Sequence, residues 1–231
     1  MLIVGAKGFA KEVLEVLYQN EYKKDIAFYD DVNSDVNGKL YGKYQILKNE
    51  IEAKDFFLKN GPVFTIGIGD PNLRARIYQQ FNNIGGELTS TISNNSEIGH
   101  YDIKIDIGCN ILSGVKISNS VSIGKGCIIY YNSIITHNCV IGDFVEISPS
   151  VSILGRVEIS SHTHIGANAT ILPDIKIGKN SVIGAGSVVT KDVPENAVMV
   201  GIPAKNVGAA PTDKKFRPYG IAPGGDTKLD T

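Results

Sequence analysis

The 231-residue chain is short of several things, and each shortage excludes a class of protein. Its three cysteines, Cys109, Cys127 and Cys139, are an odd set with no C-x-x-C pair, so neither a disulfide framework nor a zinc knuckle is written into it. Charge of one sign is not in excess: 23 Lys and Arg against 24 Asp and Glu leave a formal net charge of -1. Without clustered cations there is nothing to displace counterions from a polyphosphate, so nucleic acid is not an expected partner. No apolar run approaches the roughly 18 to 20 residues of a membrane span, and no basic-then-apolar leader precedes the first strand-like residues. A cytoplasmic protein with reduced thiols is expected. Histidine is scarce as well: His100, His137, His162 and His164 are the whole supply, which keeps the search for an acid–base group short.

What the chain does have is a repeat. Isoleucine recurs every sixth residue from Ile105 to Ile183, and Val189 completes fifteen hexads without a miss. Four places after each comes a small or β-branched residue, beginning Cys109, Val115, Val121, Cys127, Ser133, Cys139 and Val145. A helix needs spacings of three and four, and a hairpin sheet needs alternation with irregular turns, so neither produces a strict six. A coil of three short flat faces does, and fifteen hexads make five coils. Successive coils then lie about 4.8 Å apart, and residues eighteen apart stack directly. The small residue fits the corner of a narrow triangle. Cys109 and Cys127 stack there as buried thiols acting as small hydrophobes. Before Ile105 the register slips by one, with Ile92 and Ile98 in phase with each other, which predicts a bulge or loop around His100 and Tyr101.

The first ninety residues read differently. Leu2-Ile3-Val4 followed by Gly5-Ala6-Lys7-Gly8-Phe9-Ala10 is a buried strand, a tight turn and a helix N-terminus, with free N–H groups suited to a phosphate. The dinucleotide fingerprint is incomplete, because Lys7 stands where its middle glycine would be; Lys7 is itself a candidate phosphate contact. A second strand, Ala27-Phe28-Tyr29, ends in Asp30 and Asp31, placed to accept hydrogen bonds from ribose or base. A third, Val63 to Ile68, leads to Gly69, then Asp70 as N-cap and Pro71 opening a helix that stops before Gly85-Gly86. This is a truncated Rossmann-like α/β domain. The competing reading is that the glycine turn serves close packing and the aspartates solvate a strand end.

The hexads resemble the hexapeptide-repeat acyltransferase superfamily, over residues from about 92 to 204, and the resemblance implies a left-handed parallel β-helix. The segment His137-Asn138-Cys139-Val140-Ile141-Gly142-Asp143-Phe144 narrows it. It resembles the His-x-Cys-x-Ile-Gly-Asp-Phe motif of bacterial nucleotide-aminosugar N-acetyltransferases and sialic acid O-acetyltransferases, which carry a similar front domain. By that resemblance His137 is the general base, a task that suits an imidazole with an ordinary pKa of about 6.5. Two departures stand beside it. Asn138 occupies a place where relatives often have an acidic residue, and Glu146 stands nine places on, where a second histidine is common; Glu146 is the candidate to supply the missing carboxylate near His137. Relatives also tend to have histidine where this chain has Phe9, which bears on the choice of sugar.

The resemblance further implies a thioester oxyanion donor at Gly155, one coil above His137. It places a pantetheine arm along Gly166-Ala167 and Gly184-Ala185-Gly186, and the nucleotide end of the coenzyme beside Ile202, Pro203 and Lys205 of the Gly-Ile-Pro-Ala-Lys segment. It also implies a homotrimer with active sites between chains, as a prism with an exposed apolar face favours. His162 and His164, in outward positions, are expected to line the trimer axis or a cofactor groove without doing chemistry. The expected organisation is a nucleotide-sugar domain over 1–90, an acetyl-coenzyme A-binding β-helix over 91–207 and a flexible tail over 208–231. The expected substrate-binding set is Gly5, Ala6, Lys7, Gly8, Phe9, Asp30, Asp31 and Gly69. The leading expectation is acetyl-coenzyme A-dependent N-acetylation of a nucleotide-linked amino-deoxysugar in surface glycan assembly, without a metal. The alternatives are O-acetylation of a sialic acid-like sugar, a zinc-dependent carbonic anhydrase on the same coil, which needs three converging histidines, and a non-catalytic scaffold.

Overall fold

The computed structural model describes residues 1–210. Leu2–Val4 (β1), wholly buried, lies at the centre of a mostly parallel sheet. It is followed by Gly8–Gln19 (α1), Ala27–Tyr29 (β2), Lys39–Leu40 (β3), Tyr44–Leu47 (β4), Glu50–Asn60 (α2), Val63–Ile66 (β5), Pro71–Asn83 (α3) and Glu87–Leu88 (β6). The sheet order is β3-β4-β2-β1-β5-β6. All pairings are parallel except β3 with β4. That hairpin turns through Tyr41 and Gly42, both at positive φ. Asp70 caps α3 by accepting from the Leu73 N–H at 2.7 Å, with Pro71 in the first turn, as its sequence predicts. The hairpin and α2 add to the elements expected from the sequence.

From Thr91 the chain winds into three parallel sheets of two-residue strands. The front face runs through Thr91–Ile92, Asn110–Ile111, Ile128–Ile129, Glu146–Ile147, His164–Ile165 and Val182–Ile183. The second face carries Ile98, Ile117, Ile135, Ile153, Ile171 and Val189. The third carries Ile105, Ile123, Ile141, Ile159 and Ile177. These side chains and the small residues at the corners form one continuous apolar core, which includes all three cysteines as free thiols. The one-residue slip lies at His100–Asp102, where Tyr101 projects into solvent from a turn.

The third place after each core isoleucine has positive φ, from Gly108 through Gly186. Gly, Asn, Asp and Ser fill it nearly everywhere, because only they enter the left-handed region cheaply. Phe144, Arg156 and His162 are the exceptions, at φ 54, 62 and 63. Phe144 stacks on His162 and packs against Tyr78 of α3. The Phe144 corner therefore joins the two parts of the molecule, whereas Arg156 pairs with Asp174 one coil on.

At the C-terminal end, Ala197–Val200 pairs with Lys205–Ala209, and Ala210 is buried. Residues 208–210 thus belong to the folded body, in contrast to the flexible tail expected from residue 208; the remainder of that expected tail, 211–231, lies outside the described residues.

The front domain sits on the front face through a buried polar seam. Asn110 donates to the Ile66 carbonyl at 2.9 Å and accepts from Thr65 Oγ1 at 3.1 Å. Arg74 of α3, 1% exposed, donates from Nε to Gly126 O at 3.0 Å and from Nη2 to Phe144 O and Val145 O at 2.8 and 3.2 Å. Its Nη1 donates to Gly69 O. Burial pulls the guanidinium pKa down, and Glu146 opposes that shift.

Candidate active site

Two separate constellations emerge. The first is a cleft of about 460 Å³ at the carboxyl ends of β1, β2 and β5. The chain leaves β1 toward β2 on one side and toward β5 on the other, so the cleft lies at the topological switch point, where α/β sheets bind ligands. All eight residues expected to bind substrate line it: Gly5, Ala6, Lys7, Gly8, Phe9, Asp30, Asp31 and Gly69. Gly5 is required there, since its φ is +108 and an added Cβ would meet Gly67 O at 2.7 Å. The α1 N-terminus opening on the cleft has no side-chain cap and no acidic residue in its first turn. Its first N–H groups are therefore available to an anion.

The two aspartates divide. Asp30 accepts from the Asn33 N–H at 2.9 Å and from Asn33 Nδ2, so its carboxylate closes the loop after β2. Asp31 is exposed and accepts from Tyr29 Oη at 3.1 Å, which together with burial raises the Tyr29 pKa. Lys7 pairs with exposed Asp35 at 3.2 Å across the mouth of the cleft. Asp35 escaped sequence reasoning, as nothing in its local pattern marks it.

The second constellation lies at the solenoid corner between the second and third faces. His137 is exposed there, outside the apolar core. Its Nδ1 lies 2.9 Å from Asn138 Oδ1, a contact that selects the tautomer with Nδ1–H donating and leaves Nε2 as the basic lone pair. Gly155 stacks one coil above, and a Cβ on it would lie 2.6 Å from His137 Cε1 and 2.8 Å from Nε2. Glycine is what lets the ring lie flat across this corner. Gly155 N–H, at the second place after Ile153, has no acceptor among the described residues, whereas the Arg156 N–H next to it bonds His137 O at 3.0 Å. Gly155→Ala, at a position whose backbone tolerates alanine, should displace the ring and lower turnover by about 10²-fold with the fold intact, as checked by steady-state kinetics beside circular dichroism.

Glu146 does not belong to this corner. Nine residues are one and a half faces out of phase, which places it on the front face, under the front domain. Its Oε2 is 3.7 Å from Arg74 Nη1 and 3.4 Å from His164 Nδ1, so it is no carboxylate partner for the His137 of its own chain. His162 and His164 are placed otherwise than expected: His164 is buried on the front face beside Glu146, and His162, half-buried, stacks on Phe144. Burial lowers the His162 pKa.

The expected coenzyme positions occupy the corner between the front and second faces. Gly166, Gly184 and Gly186 donate their N–H groups to Ile183, Met199 and Ala167 carbonyls. A Cβ on Gly166 would meet Ala185 N at 2.6 Å, so that glycine is a stacking requirement. At this corner the Ala167 and Ala185 N–H groups have no acceptor among the described residues. They are the donors a thin polar chain would find there. Ile202, Pro203 and Lys205 are exposed at the end of the second face, where Ala204 N–H bonds Val188 O. Among the described residues, no three His, Cys, Asp or Glu side chains converge to hold a metal ion, and no helix is long and apolar enough to cross a membrane.

Residues 1–81 match the family model of the PglD N-terminal domain, and residues 138–172 and 156–191 match the bacterial transferase hexapeptide model. The chain is 30% identical over 170 residues to the GDP-perosamine N-acetyltransferase of Escherichia coli O157:H7, covering 71% of this chain and 74% of that one. WeeI from Acinetobacter baumannii AYE superposes with a TM-score of 0.80 at 29% identity, over 89% of this chain and 98% of that one. PerB from Caulobacter crescentus, solved with CoA and GDP-perosamine, shares the fold at a TM-score of 0.81 and 24% identity, over 90% of this chain and 96% of that one.

Proposed function

The chain belongs to the bacterial hexapeptide-repeat sugar acetyltransferases, and on that premise we propose that it moves the acetyl group of acetyl-coenzyme A onto the amine of a nucleotide-linked amino-deoxysugar. The front-domain cleft holds the nucleotide diphosphate, with the uncapped α1 N-terminus and Lys7 at the phosphates. His137 Nε2 takes the proton as the amine nitrogen attacks the thioester carbonyl, and collapse of the resulting oxyanion breaks the C–S bond and releases the coenzyme A thiolate, which takes that proton back from His137. Gly155 N–H donates to the carbonyl oxygen as it gains charge. Asn138 fixes the tautomer that leaves Nε2 basic. Ala167 and Ala185 N–H groups meet the pantetheine arm, and Ile202, Pro203 and Lys205 border the nucleotide end of the coenzyme.

The observation that carries this reading is the His137 ring lying across Gly155 with Nε2 uncommitted among the described residues, beside an N–H donor that has no acceptor among them.

That corner is opposite the front face, which carries the front domain. In one chain the base and the cleft are on opposite sides of the prism. We therefore place the active site between chains, the cleft of one facing the His137 corner of the next in a cyclic trimer, which closes with identical interfaces. Surface glycan assembly in the cytoplasm is the setting we assign. A panel of nucleotide amino-sugars with acetyl-coenzyme A, followed by thiol release, tests the reaction. At least one amino-sugar nucleotide should release thiol at an enzymatic rate; the absence of release across UDP, dTDP and GDP sugars would overturn it.

A further inference from the structure

Glu146 lies at the solenoid-side rim of the cleft. The nearest atoms to a Cβ built on Gly69, a cleft-lining residue, are the Glu146 carboxylate oxygens at 3.5 and 3.6 Å. The other wall of that rim is Phe9, also in the cleft lining, whose ring packs on Tyr130 at 5.1 Å.

Among the described residues, the carboxylate is held by charge but not by hydrogen bonds. Arg74, its nearest cation, directs its N–H groups at four carbonyls, those of Gly69, Gly126, Phe144 and Val145. The Arg74–Glu146 separation of 3.7 Å exceeds hydrogen-bond length. His164 stands on the coil above, 6% exposed, with Nδ1 toward Glu146 and Nε2 buried without a partner. A mostly buried carboxylate with unfilled acceptor sites, beside an imidazole nitrogen with none, is costly unless a donor arrives.

We propose that Glu146 is the group that recognises the substrate's amine in its ammonium form, with His164 as its positioning residue, so that this rim selects amino sugars over hydroxy sugars. The inference rests on the reading of the cleft as a nucleotide-sugar site. The nucleotide lies over the switch point and the sugar extends past Gly69 onto the solenoid wall. There the ammonium donates to Glu146, and the absent side chain at residue 69 leaves the carboxylate uncovered. Arg74 keeps the carboxylate in place without filling its acceptor sites.

The test is calorimetric binding of three ligands in the absence of acetyl-coenzyme A: a nucleotide amino-sugar, the hydroxy analogue and the free nucleoside diphosphate. The wild-type chain should prefer the amino-sugar by about ten- to a hundredfold, as expected for a hydrogen bond between charged groups. Glu146→Gln should erase that preference and leave nucleoside diphosphate binding unchanged. Gly69→Ala, which keeps the Arg74–Glu146 pair and introduces only an ordinary contact, should weaken the preference by covering the carboxylate, and it serves if Glu146→Gln folds poorly. A preference that persists in both variants makes Glu146 a structural counter-ion only and overturns the proposal. A wild-type chain that binds both sugars equally overturns it while leaving the cleft assignment standing; one that binds none of the three ligands overturns the cleft assignment itself and this inference with it.

Discussion

His137→Ala is expected to lower turnover by about 10² to 10⁴-fold, with little change in the KM for either substrate. The range follows from what the ring does. It removes one proton from an attacking amine and carries no part of the binding of nucleotide or coenzyme, whose contacts lie elsewhere in the assigned site. Its exposed place on the corner makes the substitution structurally mild, because no core contact is lost. The same logic distinguishes Asn138→Ala, which removes only the group that fixes the tautomer and should cost less than His137→Ala. A His137→Ala enzyme turning over at the wild-type rate would remove the proposed base.

Arg74→Met should be the most destabilising single substitution at the domain seam, by about 3 to 5 kcal/mol, the cost of breaking one side of a buried ion pair. The Gly69, Gly126 and Phe144 carbonyls lose their side-chain donor at once, Val145 O keeps only the Ile128 N–H, and Glu146 is left without its cation. Thermal unfolding should show the melting temperature lowered by on the order of 10 °C. Because the guanidinium ties α3 to the Gly126 and Phe144 corners, the front domain should loosen before the solenoid does. The double substitution Arg74→Met with Glu146→Leu should recover part of the loss, since the orphaned carboxylate is then gone. If Arg74→Met unfolds like the wild type, the seam is held by the Asn110–Ile66 and Asn110–Thr65 contacts instead.

The parts of the molecule that follow a strict geometric rule were legible in the sequence. A three-faced coil forces one large apolar residue every six positions, so the isoleucines from Ile105 onward mark the core directly. The Gly5 turn was legible for a similar reason: a strand that must bend sharply into a helix there leaves no room for a Cβ. The helix α2 was not legible because its apolar residues are misplaced for the usual reading. Ile51 and Leu58 are 73% and 86% exposed, whereas Ala53 and Phe57 are the residues it buries. The Arg74–Glu146–His164 cluster could not be read either. An arginine on an amphipathic helix reads as solvated, and only the docking of α3 on the front face buries it. Glu146, nine residues after His137, is half a coil out of phase with it and lies on the opposite side of the prism. The recurrent Asn, Gly and Asp at the third place after each isoleucine mark the left-handed corners in the sequence itself.

The central claim, that one chain's cleft works with another chain's imidazole, is tested most directly by mixing two inactive chains. Gly8→Trp fills the cleft from a position where an added Cβ meets nothing within 4 Å, so the backbone there should tolerate a side chain; His137→Ala lacks the base. Co-expressed and randomly assembled, the two chains should regain about a quarter of the wild-type activity, because one site in four pairs an intact cleft with an intact imidazole from its neighbour. Mixed oligomers that form but stay as inactive as either parent would show that cleft and base must come from the same chain, which contradicts the account.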